Sequence, residues 1–492
     1  MQREIRLNRR HFLVGVASTA GAAILAACGS GTASTATTVT STTAAKATTA
    51  PATAAASAAS TTTTTGSASV AAGSTAAAAS TTGVIATAAP AIPANTKFKL
   101  TVAIKNNTPA EVDLMQKVVD LYKADRPNAD VAVLGYDQAT YDQKLLTDIS
   151  GGTLPDVFTC NDVYNKPFFQ NGLIADLKPL AAKTGFKLDD FDPQFLGLAD
   201  YQGKIGFLPR AADVVVLYYN KRLFDEAKVK YPDSTWTMND LLTASQQLTK
   251  KAPDGTITQY GFTANYTTWS IWVPIVVAEG AKILSDDGKK AIFDSPEGIR
   301  GWNYIFTGLK NGSFVPPSVQ TTMGGPNVPF MNGKAAMAPA VRSLTPNARA
   351  QLKDDWDVAL IPKGTVDRKS GMGTTGYAIG SKVKNPDAAW DFMQYLFTKG
   401  LQVFMQSYLV VPPIKTFYND AAWRNLPPPP ANNDIFVSAT QTAMLPPSLP
   451  FYSTGPFLKA MTDGVDAVLL GKTTPEQAVK NMAVQATASL QA

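Results

Sequence analysis

From Gly29 to Asn95 the chain is built almost entirely of Ala, Thr, Ser and Gly, and Lys46 is the one charged residue. Such a run cannot bury enough apolar surface to offset the entropy lost on ordering it. It is expected to remain an unstructured leash, so folding is confined to residues 96–492. As a flexible coil it would reach about 45 Å. Its hydroxyl density also permits O-glycosylation, which would stiffen it. The part left to fold, roughly 400 residues, exceeds what one hydrophobic core usually serves, and two domains are expected.

Upstream, MQREIRLNRR carries four arginines against one acid, and a mostly apolar run follows from Phe12 to Ala27. That run is shorter than the roughly 20 residues a membrane-spanning helix needs. A basic start, a short apolar middle and small residues at the end describe an export leader over 1–27. Asn8-Arg9-Arg10-His11-Phe12-Leu13 resembles a twin-arginine signal, with Asn8 where Ser or Thr is usual. Leu25-Ala26-Ala27-Cys28 resembles the lipobox of bacterial lipoproteins. That resemblance implies cleavage before Cys28 and transfer of a diacylglycerol to its sulfur. Two or three acyl chains hold a protein at a membrane where one does not. Residues 28–95 then form a lipid-anchored leash on the outer face of the cytoplasmic membrane.

Composition removes several classes of function. The formal net charge is +6, and the leader's arginines and single acid account for half of it. The remainder is too small and too dispersed to argue for nucleic acid. The only histidine, His11, lies in the leader, and Cys160 is the only cysteine beyond Cys28. Ser-His-Asp and Cys-His catalysis are excluded, as are His/Cys zinc sites. Cys160 reads as a small buried residue at a strand end. No cofactor or metal is expected.

Beyond the tract, β-rich runs alternate with amphipathic stretches of helical length. FKLTVAIKN (98–106) reads as a strand. Pro109 opens a helix to about Tyr122, with Val112, Met115, Val118, Val119 and Tyr122 on one face. ADVAVLGY is a second strand, Asp142–Ile149 a helix closed by Gly151-Gly152, and PDVFTC (155–160) a third strand. Residues 281–302 read as a hairpin turning at Asp287-Gly288, then a helix capped at Ser295. Helices are also expected over 384–398 and 473–490. Alternation of this kind predicts parallel sheets covered on both faces, with ligands beyond the carboxyl ends of the strands.

The order of the motifs is more specific than any one of them. YDQKLLTDISGGTLPDVF, NGLIADLKPL and YQGKIGFLPRAADVVVLYYNKRLFDEA follow one another. STWTMNDLLTASQQLTK, GTITQYGF, FMNGKAAMAPA, WDVALIPKG and KNPDAAWDFMQYL come after. Over nearly all of 97–492 this series resembles the extracellular solute-binding proteins of ABC importers, in particular sugar- and maltose-binding lipoproteins. The resemblance implies an α/β, two-lobed periplasmic-binding-protein-like (type II) fold with a hinge of several chain crossings. Matching segments put the crossings near Arg210–Val215, Gly373–Tyr377 and Met444–Pro447. The N-lobe is then 97–212 with 377–443, and the C-lobe 213–376 with 444–492. A monomer that captures a carbohydrate between the lobes and hands it to ABC permease subunits is implied, with no catalysis of its own.

Sugars show an apolar C–H face and a rim of hydroxyls, so their sites combine an aromatic surface with short polar side chains. Trp269 in ANYTTWSIW stands where the family places a cleft aromatic, with Asn265 and Tyr266 just before it. Asn161 and Asp162 follow the third strand. Asn107 follows the first. Arg210 and Asp213 flank the first crossing, Gly376 and Tyr377 the second. Tyr452 lies in a loop where the family often offers an aromatic. The family's Gly-x-Trp after the AAM stretch is missing, and Arg342 stands beside its place. An arginine there admits an acidic sugar or a sugar phosphate, since a guanidinium can hold carboxylate or phosphate with two parallel bonds.

Three rival readings are open to test. Gly371-Met372-Gly373-Thr374-Thr375-Gly376 spells a dinucleotide fingerprint but precedes the strand-like YAIGS, where that motif requires a helix. A secreted carbohydrate hydrolase would need two carboxyls facing across a cleft, and Asp189-Asp190, Asp286-Asp287 and Asp354-Asp355 are only neighbours in sequence. A lipid-anchored surface protein contacting other macromolecules is the third.

Overall fold

The structure is a computed structural model that describes residues 88–106, 110–137, 140–444 and 455–490. The leader, Cys28, the tract up to residue 87, Asn107 and Tyr452 lie outside the described residues. Two five-stranded sheets and a three-stranded one organise the described residues, beside a small hairpin of Asp200–Tyr201 with Lys204–Ile205.

The first sheet contains β1 (Phe98–Asn106), β2 (Ala129–Asp137), β3 (Val157–Asn161), β4 (Phe207–Pro209) and a later strand, Thr375–Ile379. The chain next runs through the two-residue strand β5 (Asp213–Val214) into a second sheet. This holds β6 (Val216–Asn220), β7 (Lys250–Lys251), β8 (Ile257–Phe262), β9 (Ala335–Ala340) and β10 (Trp356–Ala359). It returns through β11 (Ser370–Gly373) to β12 (Thr375–Ile379), and later through β13 (Ala443–Met444). The orders are β2-β1-β3-β12-β4 and β10-β6-β9-β8-β7, and the three connecting strands pair with each other as β13-β11-β5.

Neither large sheet is purely parallel, which corrects the sequence expectation. β1 pairs with β2 and β3 in parallel, but β12 is antiparallel to β3 and β4. Likewise β8 and β9 are parallel, whereas β6 is antiparallel to β9 and β10. The reason is connectivity. β12 and β6 each enter their sheet directly from a crossing, so they run away from it while β3, β4, β9 and β10 run toward it. The carboxyl ends of those strands therefore gather where the chain crosses.

Helices cover the sheets as their periodicity predicts. The main ones are α1 (Ala110–Asp125), α2 (Tyr141–Gly151), α3 (Asp162–Gln170), α4 (Met238–Leu248), α5 (Trp269–Ala278) and α6 (Pro296–Lys310). They are followed by α7 (Pro386–Tyr395), α8 (Leu401–Gln406), α9 (Asp434–Thr440), α10 (Gly455–Leu469) and α11 (Pro475–Ser489). On α1, Met115, Val118, Val119 and Tyr122 are buried, the 3.6-residue stripe of a helix lying on a sheet. The residue-281 hairpin and the cap at Ser295 are present, with Ser295 Oγ accepting from Gly298 N at 3.2 Å.

Period two sorts the second sheet between two cores. Leu217, Tyr219 and Ala359 face one containing Trp272, Trp302, Phe306, Phe457 and Met482. Val216, Tyr218, Trp356 and Val358 face the other, continuous with the core of the first sheet through Phe436 and Trp423. The segment read as N-lobe up to residue 443 thus touches both sheets near its end. Residues 88–92, read from the sequence as part of the leash, are packed on the body. Ile92 is buried, Ala89 N donates to Thr184 O at 2.9 Å, and Ala91 N donates to Asp391 Oδ1 at 2.9 Å. Ile92, with Ala88 and Ala91 packed beside it, and the bonds of Ala89 and Ala91 dock residues 88–92.

Trp272 stacks on Trp302 with ring centroids 5.1 Å apart and meets Phe293 at 5.0 Å. Replacing a buried tryptophan by alanine removes these contacts and leaves a void. Trp272→Ala is expected to cost about 3–5 kcal/mol, read as a lowered melting temperature.

Candidate functional site

The candidate site grows from the meeting of strand ends at the crossings. Asn161 ends β3 and caps α3, its side chain accepting from Tyr164 N at 3.2 Å. Asp162 follows, and its Oδ2 accepts from Thr374 N at 3.0 Å. Register places Asn161 opposite Thr375 and Asp213 opposite Gly373. Arg210 N donates to Thr375 O at 2.8 Å, and Thr374 Oγ1 donates to Ala211 O at 2.7 Å. Asn161, Asp162, Arg210 and Asp213 are therefore brought together around residues 373–375.

The two GxG glycines explain themselves here. A Cβ on Gly373 would sit 3.0 Å from Asp162 Oδ2, and one on Gly371 would sit 2.1 Å from Ser270 O. Gly371 lets the first turn of α5 lie directly against β11. The motif is a strand-to-strand passage, β11 to β12, and has no helix to seat a phosphate. Its function is close approach, which also brings α5, and Trp269 at its first position, beside the hinge. Trp269 is half-buried.

Electrostatics concentrate at the same place. Arg210 is buried and pairs with Glu111, Nη1 to Oε2 at 3.0 Å, while its Nε has no hydrogen-bond partner. Its guanidinium lies 5.2 Å from the Phe404 ring and 6.0 Å from that of Tyr377. Burial pushes the Asp162 carboxyl up to about 7, with Asp213 adding to the rise. Burial raises Asp213 to about 6, against the pull of Arg210 and with the push of Glu111. Burial also drives the Cys160 thiol well up, so it is a core side chain rather than a nucleophile.

Glu111 was not legible as a site residue. In PAEVDL it looks like any acid in a first helical turn. Only the tertiary fold shows it buried against Arg210.

Other expected site residues go elsewhere. Tyr266 is a core residue, stacked on Phe314 at 6.0 Å with its hydroxyl donating to Val315 O at 3.0 Å. Tyr377 is buried within the first core against Phe397. Gly376 lies mid-strand between Cys160 and Pro209, where a Cβ would meet Leu208 O at 1.9 Å. Arg342 is fully buried and binds neighbouring chain, so it offers no surface to an anion. Asn265 is exposed and lines a shallow hollow with Pro317, Thr462 and Asp466. Tyr266, Tyr377 and Arg342 share a cause: each side chain turns into a core, which neighbours in sequence do not reveal.

The acids of two of the pairs are spent on bonds within the chain. Asp354 holds Arg222 and Asn220, Asp355 holds Lys221, Asp286 holds Lys282, and Asp287 accepts from Lys289 N in its turn.

Comparison with known proteins matches this architecture. The model of the bacterial extracellular solute-binding protein family matches residues 106–403. A relative from Brucella abortus, named only as a binding protein, is 27% identical over 402 residues, 76% of this chain and 89% of its own. The maltotriose-binding protein of Pyrococcus abyssi is 25% identical over 335 residues, 65% of this chain and 68% of its own. An ABC substrate-binding protein of Listeria monocytogenes in complex with cycloalternan superposes with a TM-score of 0.71 at 22% identity. That match covers 80% of this chain and 100% of the other. The fold is the two-lobed one of these binding proteins.

Two outcomes are expected. Glu111→Gln leaves the buried Arg210 charge without its partner and should cost about 3–5 kcal/mol, seen as a lowered melting temperature. Asp162 and Asp213 hold protons in the folded state that an unfolded chain would release near pH 4. Their contribution to stability is complete below pH 4 and is lost as pH rises through about 6 and about 7. The urea midpoint should fall between pH 5 and pH 8, and fall less in Asp162→Asn, whose amide oxygen can still accept from Thr374.

Proposed function

This chain belongs to the bacterial extracellular solute-binding protein family, and from that premise we propose that it captures a sugar or oligosaccharide between its lobes. It hands the ligand to ABC permease subunits, while ATP is hydrolysed by other subunits. The observation that carries the reading is the β5-β11-β13 ribbon, which gathers the strand ends of two sheets around one polar cluster. Curated relatives are named for maltotriose and for maltooligosaccharides. Trp269 offers an indole face for the C–H side of a sugar. Asp162 and Asn161 offer acceptors for hydroxyls, and Asp213 and Arg210 fix the charge balance behind them. Asn107 and Tyr452 belong to the same reading.

The lobes in this proposal are 97–212 with 377–443 and 213–376 with 444–492. The open form samples closure, and ligand favours the closed form by its higher affinity for that state. Cys28 carries the lipid, the leader 1–27 directs twin-arginine export, and the tract after Cys28 is the leash. The protein works as a monomer on the outer face of the cytoplasmic membrane. A leash of this length, about 45 Å as a coil, keeps it beside the permease without fixing its orientation.

The reading predicts ligand-dependent stability. A ligand bound only by the native state at a hundred times its Kd stabilises by about 2.7 kcal/mol. Melting of the full chain should rise with dose for one class among mono-, di- and maltooligosaccharides, uronic acids, sugar phosphates, amino acids and polyamines. Trp269→Ala should abolish the rise. A response to amino acids or polyamines with none to any sugar would sink the carbohydrate assignment.

A further inference from the structure

Arg342 poses a physical problem. Its side chain is fully buried, yet none of its hydrogen-bond partners is a carboxylate. Nε donates to Tyr408 O at 3.1 Å and Nη1 to Asn433 Oδ1 at 2.7 Å, while Nη2 has no hydrogen-bond partner. The guanidinium lies 4.6 Å from the Phe436 ring, 4.7 Å from Trp423 and 5.5 Å from Tyr408. Burying a charge this way is costly. The aromatic faces and the two oxygens offset part of that cost.

All these partners lie on one run of chain, residues 408–436, whereas Arg342 follows β9 in the second sheet. More of the second sheet's side holds the same run. Arg349 donates to Pro427 O at 3.0 Å and lies 4.2 Å from the Tyr408 ring. Asp357 accepts from Asn432 N and Nδ2, both at 3.0 Å. The other edge of the run is tied to the first lobe. Asp192 N donates to Pro413 O at 2.8 Å, and Ala212 N to Val411 O at 2.9 Å. Tyr418 Oη donates to Asp192 Oδ2 at 3.1 Å, and Gln194 Nε2 to Thr440 O at 3.3 Å. Tyr408, where the run begins, has φ +63, a conformation a tyrosine adopts only when its surroundings compel it. The run ends at β13, a hinge strand.

We propose that Arg342 is a positioning residue for lobe movement: it fastens the 408–440 run, as a strap, to the second lobe, and so sets the angle at which the lobes rest. The proposal rests on the reading that the lobes close by a hinge. It takes the family's missing cleft tryptophan and gives the arginine beside its place a purpose away from ligand. A flat, forked guanidinium suits this slot. Lysine has neither the plane to stack between rings nor the fork to reach both oxygens.

The test uses the full chain and needs no ligand. Arg342→Lys should speed amide hydrogen exchange in peptides spanning 408–440 about tenfold, as expected for loss of hydrogen bonds to a charged donor. Exchange in β1, β3 and β8 should stay unchanged. Asn433→Asp, which gives Arg342 a carboxylate, should slow exchange in the same peptides. Spin labels at Lys187→Cys and Lys289→Cys, in a Cys28→Ser background, report the distance between the lobes. Its distribution should broaden or shift in Arg342→Lys and narrow in Asn433→Asp. Faster exchange throughout the chain would make Arg342 ordinary core packing and overturn the proposal. So would a loosened strap with an unchanged distance distribution, or no change in either variant. Sugar binding enters none of these readouts, so they stand or fall apart from the carbohydrate assignment.

Discussion

Pairing of β11 with β5 on one side and β13 on the other is the interaction on which the rest depends. Each of these strands is only two to four residues long, and each is a passage of the chain between the two large sheets. Alone, such a strand would leave backbone groups unpaired where the two sheets meet. Together they satisfy one another, as in Val215 N donating to Gly371 O at 2.9 Å. The sheets gain a common edge from which strands leave and to which they return. The polar cluster around Asp162 and Arg210 is a consequence, because strand ends arrive there with their loops.

Close backbone approach then limits which residues can occupy the ribbon. Gly371 and Gly373 let α5 and Asp162 reach it without a side chain in the way. The same approach sets Ser270, the residue after the half-buried Trp269, against Gly371, two residues from the Gly373 that faces Asp162. In the proposed reading the aromatic face comes from one lobe and the hydrogen-bond acceptors from the other. A ligand held by both would couple capture to closure in that reading.

Much of this was legible in the chain. The stripe on α1, the capped helices at Ser295 and Thr474, and the alternating strands follow from local periodicity and capping chemistry. Backbone bonds and apolar spacing are local enough to read. The candidate site was legible in part. Asn161, Asp162, Arg210 and Asp213 were reachable because strand ends and crossings are local features. That Tyr266, Tyr377 and Arg342 are buried was not legible, because which way a side chain turns is settled by packing against residues far away in sequence. Glu111 escaped notice for the same reason.

What the sequence by itself determined is composition and period: a tract of Ala, Thr, Ser and Gly, a body without histidine, and alternating apolar stripes. These are properties of each segment and need no partner. Only the tertiary structure decided where the leash stops, because Ile92 needs a surface to be buried against. It alone decided that the sheets are mixed, since strand direction depends on which lobe the chain enters from. And it alone decided the surroundings of Arg342, whose charge is enclosed by three rings and two oxygens supplied from residues 408–436.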